Sequence, residues 1–384
     1  MKIFHTITRF VRGGADENTL YSCNLQAEDG HEVMLAYGRE NHSGILDQLH
    51  PAVHKVEIGS MVRAISPIDD LRALSEMTEL VRKFAPDVVH THTSKAGLLG
   101  RIAGKRVGVP AIIHGVHILP FIGTGAAQAF VFRGIERWIA KDTDYFIDVS
   151  EGMKAASIEN GVGSEENHIV IPSGMKVAKF TEAEPFTPEQ VAEELGLESP
   201  PAKLIVSAAV LEPRKRHVEF LDALAKVVER VPGVHFAVTG AGPLADAVMN
   251  RARALQIADR VHLLGFRTDV ERWMATADVC TLASEREGLP RTVIQYVMCG
   301  KPVVATDLPG IDAVLEHGVN GYVAPTPVAM AEPLIALLSD DALREKFAAA
   351  SRAKDLSPWD ARAMVDGIAR VYDDVLAKRG SDRR

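Results

Sequence analysis

The chain has 384 residues, 47% of them apolar and 24% charged, a composition that suits a soluble protein of two domains and excludes a largely disordered one. Acidic residues outnumber basic ones, 51 to 43, for a formal net charge of −8, so an overall basic nucleic-acid binder is not expected. No run reaches the roughly 18 uninterrupted apolar residues of a membrane span, and three cysteines, Cys23, Cys280 and Cys299, have neither metal-ligand spacing nor the even count of a disulfide framework.

The start, Met1 to Ile7, is too short for the apolar region of a secretory signal and reads as a buried strand, so a cytoplasmic location is expected. Leu71, Leu74, Met77, Leu80, Val81 and Phe84 recur at helical spacing, with Asp69 and Asp70 at the start and Arg82 and Lys83 in the last turn, as the helix dipole favours. Pro86–His92 reads as a strand, Ala96–Arg106 as a helix and Val109–His114 as a further strand. This alternation implies a parallel sheet covered on both faces.

The Pro-rich, acidic stretch Thr181–Ala202 reads as a surface segment with one short helix, Pro188–Leu195. The rhythm then resumes with strands Leu204–Ala209, Val234–Thr239, Val261–Leu264, Val279–Ala283 and Pro302–Thr306. Helices stand between them, with apolar positions at Val218–Val228, then Leu244–Leu255, Val270–Ala277 and Arg291–Cys299, the last ended by Gly300. The fold class expected is α/β with two Rossmann-like doubly wound domains: residues 1–174, joined by an amphipathic C-terminal helix within 359–384, and residues 175–358.

The segment from Ser284 to Asp307 carries the most chemistry. It is a strand, a tight loop at Gly288, a helix with Pro290 in its first turn, and a strand. The N–H groups at such a helix start, with the dipole, favour a phosphate. Glu287 stands beside them, where a carboxylate accepts hydrogen bonds from sugar hydroxyls. The same pattern also occurs as an ordinary acidic loop without ligand.

This segment resembles the nucleotide-sugar site of the retaining glycosyltransferases of family 4, which have the GT-B fold with an interdomain cleft. Their motif is Glu, seven residues, Glu, then a run ending Pro-Val-Val-Ala-Thr. Glu287 matches the first acid, and the second falls on Gln295, a neutral residue that still donates and accepts hydrogen bonds. By this resemblance Glu287 touches the donor sugar, Gly288, Leu289, Pro290 and Thr292 line the donor, and Gln295 holds the ribose. Val11 to Asp16, with Gly13 and Gly14, resembles the family's glycine loop after the first strand. His117, in Ile113 to His117, matches the histidine that reaches the transferred sugar, although a structural histidine is the competing reading. Glu212 to His217 resembles the diphosphate-binding stretch, with Lys215 on the family's lysine and Arg214 or Arg216 compensating for a missing arginine at Ala209 or Val210. Gly240, Gly242, Gly265 and Phe266 lie in segments that match nucleotide-holding loops. The segment from Val89 to Gly97 is like one common in bacterial members that build surface polysaccharides, although Thr93 and Ser94 also suit helix N-caps.

The resemblance implies transfer of a hexosyl or related group from a nucleoside-diphosphate-sugar to an acceptor hydroxyl of a growing or polyprenyl-linked glycan. It implies no cofactor and no metal. Two other signals are compatible with metal binding: Asp142-Thr143-Asp144 as a metal-binding acid pair, and His90, His92, His114 and His117 as zinc ligands. Ile118–Lys141, apolar with Arg133, Arg137 and Lys141, reads either as a cleft-lining helix or as a peripheral contact with an anionic membrane. A nucleotide-sugar epimerase of the same fold, or a non-catalytic nucleotide-sugar or glycan binder, are the alternative functions.

Overall fold

Strand β1 (Lys2–Ile7) is central to the first sheet, pairing in parallel with β2 (Glu32–Gly38) on one side and β4 (Val88–His92) on the other. The structure is a computed structural model that describes residues 1–11 and 13–381. It divides into two compact units: Met1–Met175 with the chain from Ser357 onwards, and Lys176–Leu356.

In the first unit, β3 (His54–Ile58), β5 (Ala111–Val116), β6 (Tyr145–Asp148) and β7 (His168–Val170) complete a seven-stranded parallel sheet of order β3-β2-β1-β4-β5-β6-β7. Successive side chains point to opposite faces of a strand, so the unit has a core on each side. Ile3, Val88 and Ile113 pack on the last helix, Ala361–Ser381, through Met364, Ile368, Val371 and Tyr372. Phe4 and Val89 pack on the helix Pro67–Phe84 through Leu74, Met77 and Val81. Each such buried side chain contributes roughly 1.5–3 kcal/mol.

The second unit repeats the design with six parallel strands: β8 (Lys203–Ser207), β9 (Val234–Val238), β10 (Val261–Leu263), β11 (Val279–Leu282), β12 (Val303–Thr306) and β13 (Gly321–Ala324). Their order is β10-β9-β8-β11-β12-β13. In both sheets the winding reverses beside the first strand, between β1 and β4 and between β8 and β11. Ligands of such sheets bind at the carboxyl ends of the strands on either side of that reversal.

Several boundaries differ from those expected. Val109 and Pro110 precede β5, which runs on to Val116, and Pro302 precedes β12. Proline has no N–H to give to a ladder. The strand series of the second unit does not end at Thr306, because β13 pairs with β12 from Val303↔Gly321 to Thr306↔Ala324. A Cβ at Gly321 would lie 2.2 Å from Val303 O, so only glycine lets this strand approach.

Candidate active site

The reversal in the second sheet brings together two loops. One follows β8 and ends in the turn Pro213–Lys215; the other follows β11 and leads to the helix Arg291–Met298. Lys215 Nζ donates to Glu287 Oε1 at 2.5 Å, Arg214 Nη1 to Glu287 Oε2 at 3.2 Å, and Ser284 Oγ to Glu287 Oε1 at 2.8 Å. Glu285 N donates to Arg214 O at 2.8 Å and ties the loops through the backbone. Lys215 is buried and Arg214 half-buried. Burial pushes the Lys215 ammonium below its ordinary pKa, and Glu287 only partly offsets this. Two cations and a serine thus share one carboxylate in the loop that leads to the helix, an arrangement suited to polyanionic ligands with hydroxyl groups.

The glycine loops meet next to it. A Cβ at Gly240 would lie 2.0 Å from Ala209 O, and one at Gly242 would lie 2.5 Å from Leu211 O. These glycines therefore let the loops after β8 and β9 touch through their backbones. Gly240 also bridges Gly265, and Phe266 beside it is 58% exposed. Leu289, Thr292 and Gln295 are half-buried around the start of the helix Arg291–Met298. Pro290 is not inside its first turn, as expected, but is the N-cap, with a non-helical ψ of 62°.

In the first unit Gly13 is the N-cap and Gly14 the first residue of the helix Gly14–Glu28. Arg12, within the glycine loop Val11 to Asp16, lies outside the described residues, as do residues 382–384 of the expected C-terminal segment. Asp16 is buried on that helix's first turn, and burial raises its pKa to about 6. His117 follows β5, and its Nε2 lies 3.2 Å from His92 Nδ1.

Neither ligand set read from the sequence is assembled as such. Asp144 is spent on the backbone N–H of Ile112 at 2.8 Å and on Arg379 at 2.7 Å, and Asp142 pairs with Lys105 at 3.0 Å. His114 lies on the sheet face opposite His90 and His92, bonded to Thr91 Oγ1 at 2.8 Å. The residue that joins His90 and His92 is His5, across the β1–β4 ladder, and one ring nitrogen from each of the three lies within 4.8 Å of the others. Nor does Thr93 cap the following helix with its side chain. Its Oγ1 bonds Thr8 N at 3.2 Å and Thr8 Oγ1 at 2.9 Å, with Thr93 itself at a φ of 60°. Sequence reasoning missed His5, Gln26, Ser284 and Tyr372, which have no motif of their own.

Comparison with known proteins identifies the family. Residues 202–340 match the family model described as glycosyl transferases group 1, and residues 13–174 match the glycosyl transferase 4-like domain. The chain is 26% identical over 385 residues to UDP-Gal:alpha-D-GlcNAc-diphosphoundecaprenol alpha-1,3-galactosyltransferase of Escherichia coli, covering 99% of this chain and 98% of that one. It is 30% identical over 295 residues to phosphatidyl-myo-inositol mannosyltransferase of Mycobacterium leprae, covering 75% and 74%. In fold it resembles Anabaena HepE crystallised with UDP and glucose, with a TM-score of 0.81 at 21% identity over 97% of this chain and 100% of that one. With two doubly wound sheets, a cation–carboxylate cluster at the second reversal and these matches along nearly its whole length, the chain belongs to the group 1 glycosyltransferases of family 4, nucleotide-sugar-dependent enzymes of the GT-B fold.

Proposed function

We propose that this enzyme is a retaining transferase that moves a hexosyl or related group from a nucleoside-diphosphate-sugar to a hydroxyl of a lipid-linked glycan. The observation that carries this reading is the sharing of Glu287 by Lys215 and Arg214. In the reaction the bond from the anomeric carbon to the diphosphate breaks, the acceptor oxygen bonds to the same face, and its proton passes to the departing phosphate. The diphosphate then carries the developing negative charge. Lys215, Arg214 and the helix start at Leu289–Thr292 are preorganised to stabilise it. Glu287 receives donor sugar hydroxyls, Gln295 the ribose, and the loops at Gly240, Gly242, Gly265 and Phe266 the nucleotide. Gly13, Gly14 and His117 serve the sugar side. With this cationic charge supplied by side chains, the reaction needs no metal and continues in the presence of a chelator.

A lipid-linked acceptor is supported by the galactosyltransferase relative, whose name specifies a diphosphoundecaprenol-linked substrate. No helix among the described residues is long and apolar enough to cross a membrane. The helix Ala126–Ile139 instead exposes Phe130, Val131 and Trp138, with Ile118 also exposed before it and Arg137 and Lys141 exposed nearby. Such a surface suits peripheral contact with an anionic bilayer. The test is incubation with UDP-, GDP- and ADP-sugars, with and without a polyprenyl-diphosphate-linked sugar. One donor raises the melting temperature and is consumed faster with acceptor, yielding a product of retained anomeric configuration. Absence of stabilisation by every donor would sink the reading.

A further inference from the structure

A line of side chains runs from the interior of the first sheet to His117. Gln26 Oε1 lies 2.8 Å from His5 Nε2, His5 Nδ1 lies 3.0 Å from His92 Nε2, and His92 Nδ1 lies 3.2 Å from His117 Nε2. Strand register builds it. His5 faces His90, and Ile7 faces His92, so the three histidines share one face of the sheet. Gly115 faces His92 from β5, and a Cβ there would crowd His92 Nδ1 at 3.2 Å and His117 Nε2 at 3.4 Å. Glycine at 115 thus leaves room for the last link. Gln26, His5 and His92 are each at most 2% exposed.

We infer that this line is a tautomer lock: the amide oxygen of Gln26 fixes the proton of each imidazole in turn, and His117 is held as its Nε2–H form with Nδ1 as a hydrogen-bond acceptor. The direction follows from donor and acceptor inventory. Gln26 Oε1 only accepts, so His5 carries its proton on Nε2 and accepts at Nδ1. His92 then donates from Nε2 and accepts at Nδ1, and His117 donates from Nε2. The Gln26 amide is itself oriented, because its Nε2 reaches Tyr372 Oη at 3.5 Å, and Tyr372 Oη lies 2.6 Å from His90 Nδ1. Burial pushes the His5 pKa down to about 4 and that of His92 well below the ordinary value. At neutral pH each inner ring is uncharged, so each pair of nitrogens shares one proton.

A shared metal ion is the competing use of the cluster. Zinc lies in the plane of each ligating ring at about 2.0–2.1 Å. The His5 and His92 rings are 13° from coplanar and meet edge to edge, while the His90 ring lies against that of His92 with centroids 4.3 Å apart and planes tilted by 34°. That arrangement suits a hydrogen bond with a packed neighbour better than three converging lone pairs.

Gln26, His5 and His92 are therefore positioning residues, and their effect on turnover rests on the reading of His117 as a sugar contact. An acceptor at Nδ1 receives a hydrogen bond from a sugar hydroxyl without taking a full charge. Long-range proton–nitrogen NMR of the histidine-labelled protein tests the lock directly. Expected is a protonated-type signal for His117 Nε2 and an unprotonated-type signal for Nδ1. Gln26→Leu mixes the two tautomers and lowers kcat about tenfold at unchanged donor KM. A wild-type His117 protonated on Nδ1 would overturn the lock, and that measurement needs no variant to fold. So would one equivalent of zinc bound through His5, His90 and His92 and lost in His90→Ala. A tautomer change in Gln26→Leu with kcat unchanged would uphold the lock and remove His117 from the sugar contact.

Discussion

Lys215 Nζ and Glu287 Oε1, 72 positions apart in the chain, stand 2.5 Å apart where the second sheet reverses its winding. Their side chains are 8% and 13% exposed, so each is the other's principal compensation for lost water.

Lys215→Met removes the buried cation while keeping much of its volume. Turnover with the donor is expected to fall about 100-fold, and the melting temperature to fall as well, because Glu287 then keeps only Arg214 and Ser284. Steady-state kinetics and a thermal scan check this. Unchanged kcat in Lys215→Met would remove the leaving-group role.

Gln295→Glu restores a carboxylate at a half-buried position of the helix Arg291–Met298. Charge-assisted hydrogen bonds are roughly twice as strong as neutral ones. The donor's dissociation constant is expected to drop several-fold, with little change in stability. Calorimetric titration with the nucleotide decides it, and unaltered affinity would show that position 295 does not hold the ribose.

Arg101 and Glu136 form a buried ion pair in the first unit at 2.7 Å, with Arg101 Nε also donating to Gly97 O at 2.8 Å. Arg101→Met strands a buried carboxylate and should cost about 3–5 kcal/mol. The double variant Arg101→Met, Glu136→Leu should recover much of the loss. Urea denaturation of the three proteins measures both, and a double variant no better than the single one would contradict the ion-pair account.

Burial holds His5, His217 and His262 at about 4 and His90, His92 and His114 well below their ordinary value of 6.5. The unfolded chain therefore takes up protons first. The stability these groups contribute is complete above about pH 6.5 and is lost as pH falls towards 4. Asp16 acts in the opposite sense: its folded pKa is raised from 3.8 to about 6, so its burial cost is relieved as pH falls through that window. His31 and His235 are lowered in the same way and Asp148 is raised like Asp16, so eight imidazoles stand against two carboxyls and the net effect of acidification is destabilising. The unfolding free energy is expected to decline between pH 7 and 5 with a slope of more than one proton, and a flat profile would refute it. Asp16→Asn should stabilise the protein at pH 8 and do little at pH 4.

Much of the fold was readable because its signals are local. Alternating β-branched strands and helices gave the doubly wound architecture, and the run from Glu287 to Thr306 gave the loop after β11 and the helix that follows it. Short or irregular elements were not readable. Gly321–Ala324 is four residues opened by a glycine, and its strand identity comes from pairing with Val303–Thr306. The strands that the sequence suggests from Pro86, Val109 and Pro302 begin one or two residues later, at Val88, Ala111 and Val303, because apolar and β-branched composition marks a strand less sharply than the ladder does.

The sequence by itself determined the family, the strand–helix rhythm and the residue types in the loops after β8 and β11, because each depends on spacing within a few dozen residues. Only the tertiary structure decided that Lys215 and Arg214 share Glu287, that His114 leaves the histidine cluster and His5 joins it, and that Gln26 and Tyr372 anchor it. Those relations depend on strand order and register across parallel ladders. A parallel pair is joined through an intervening crossover, so its partners are far apart in the chain, and one residue of register decides which face a side chain occupies.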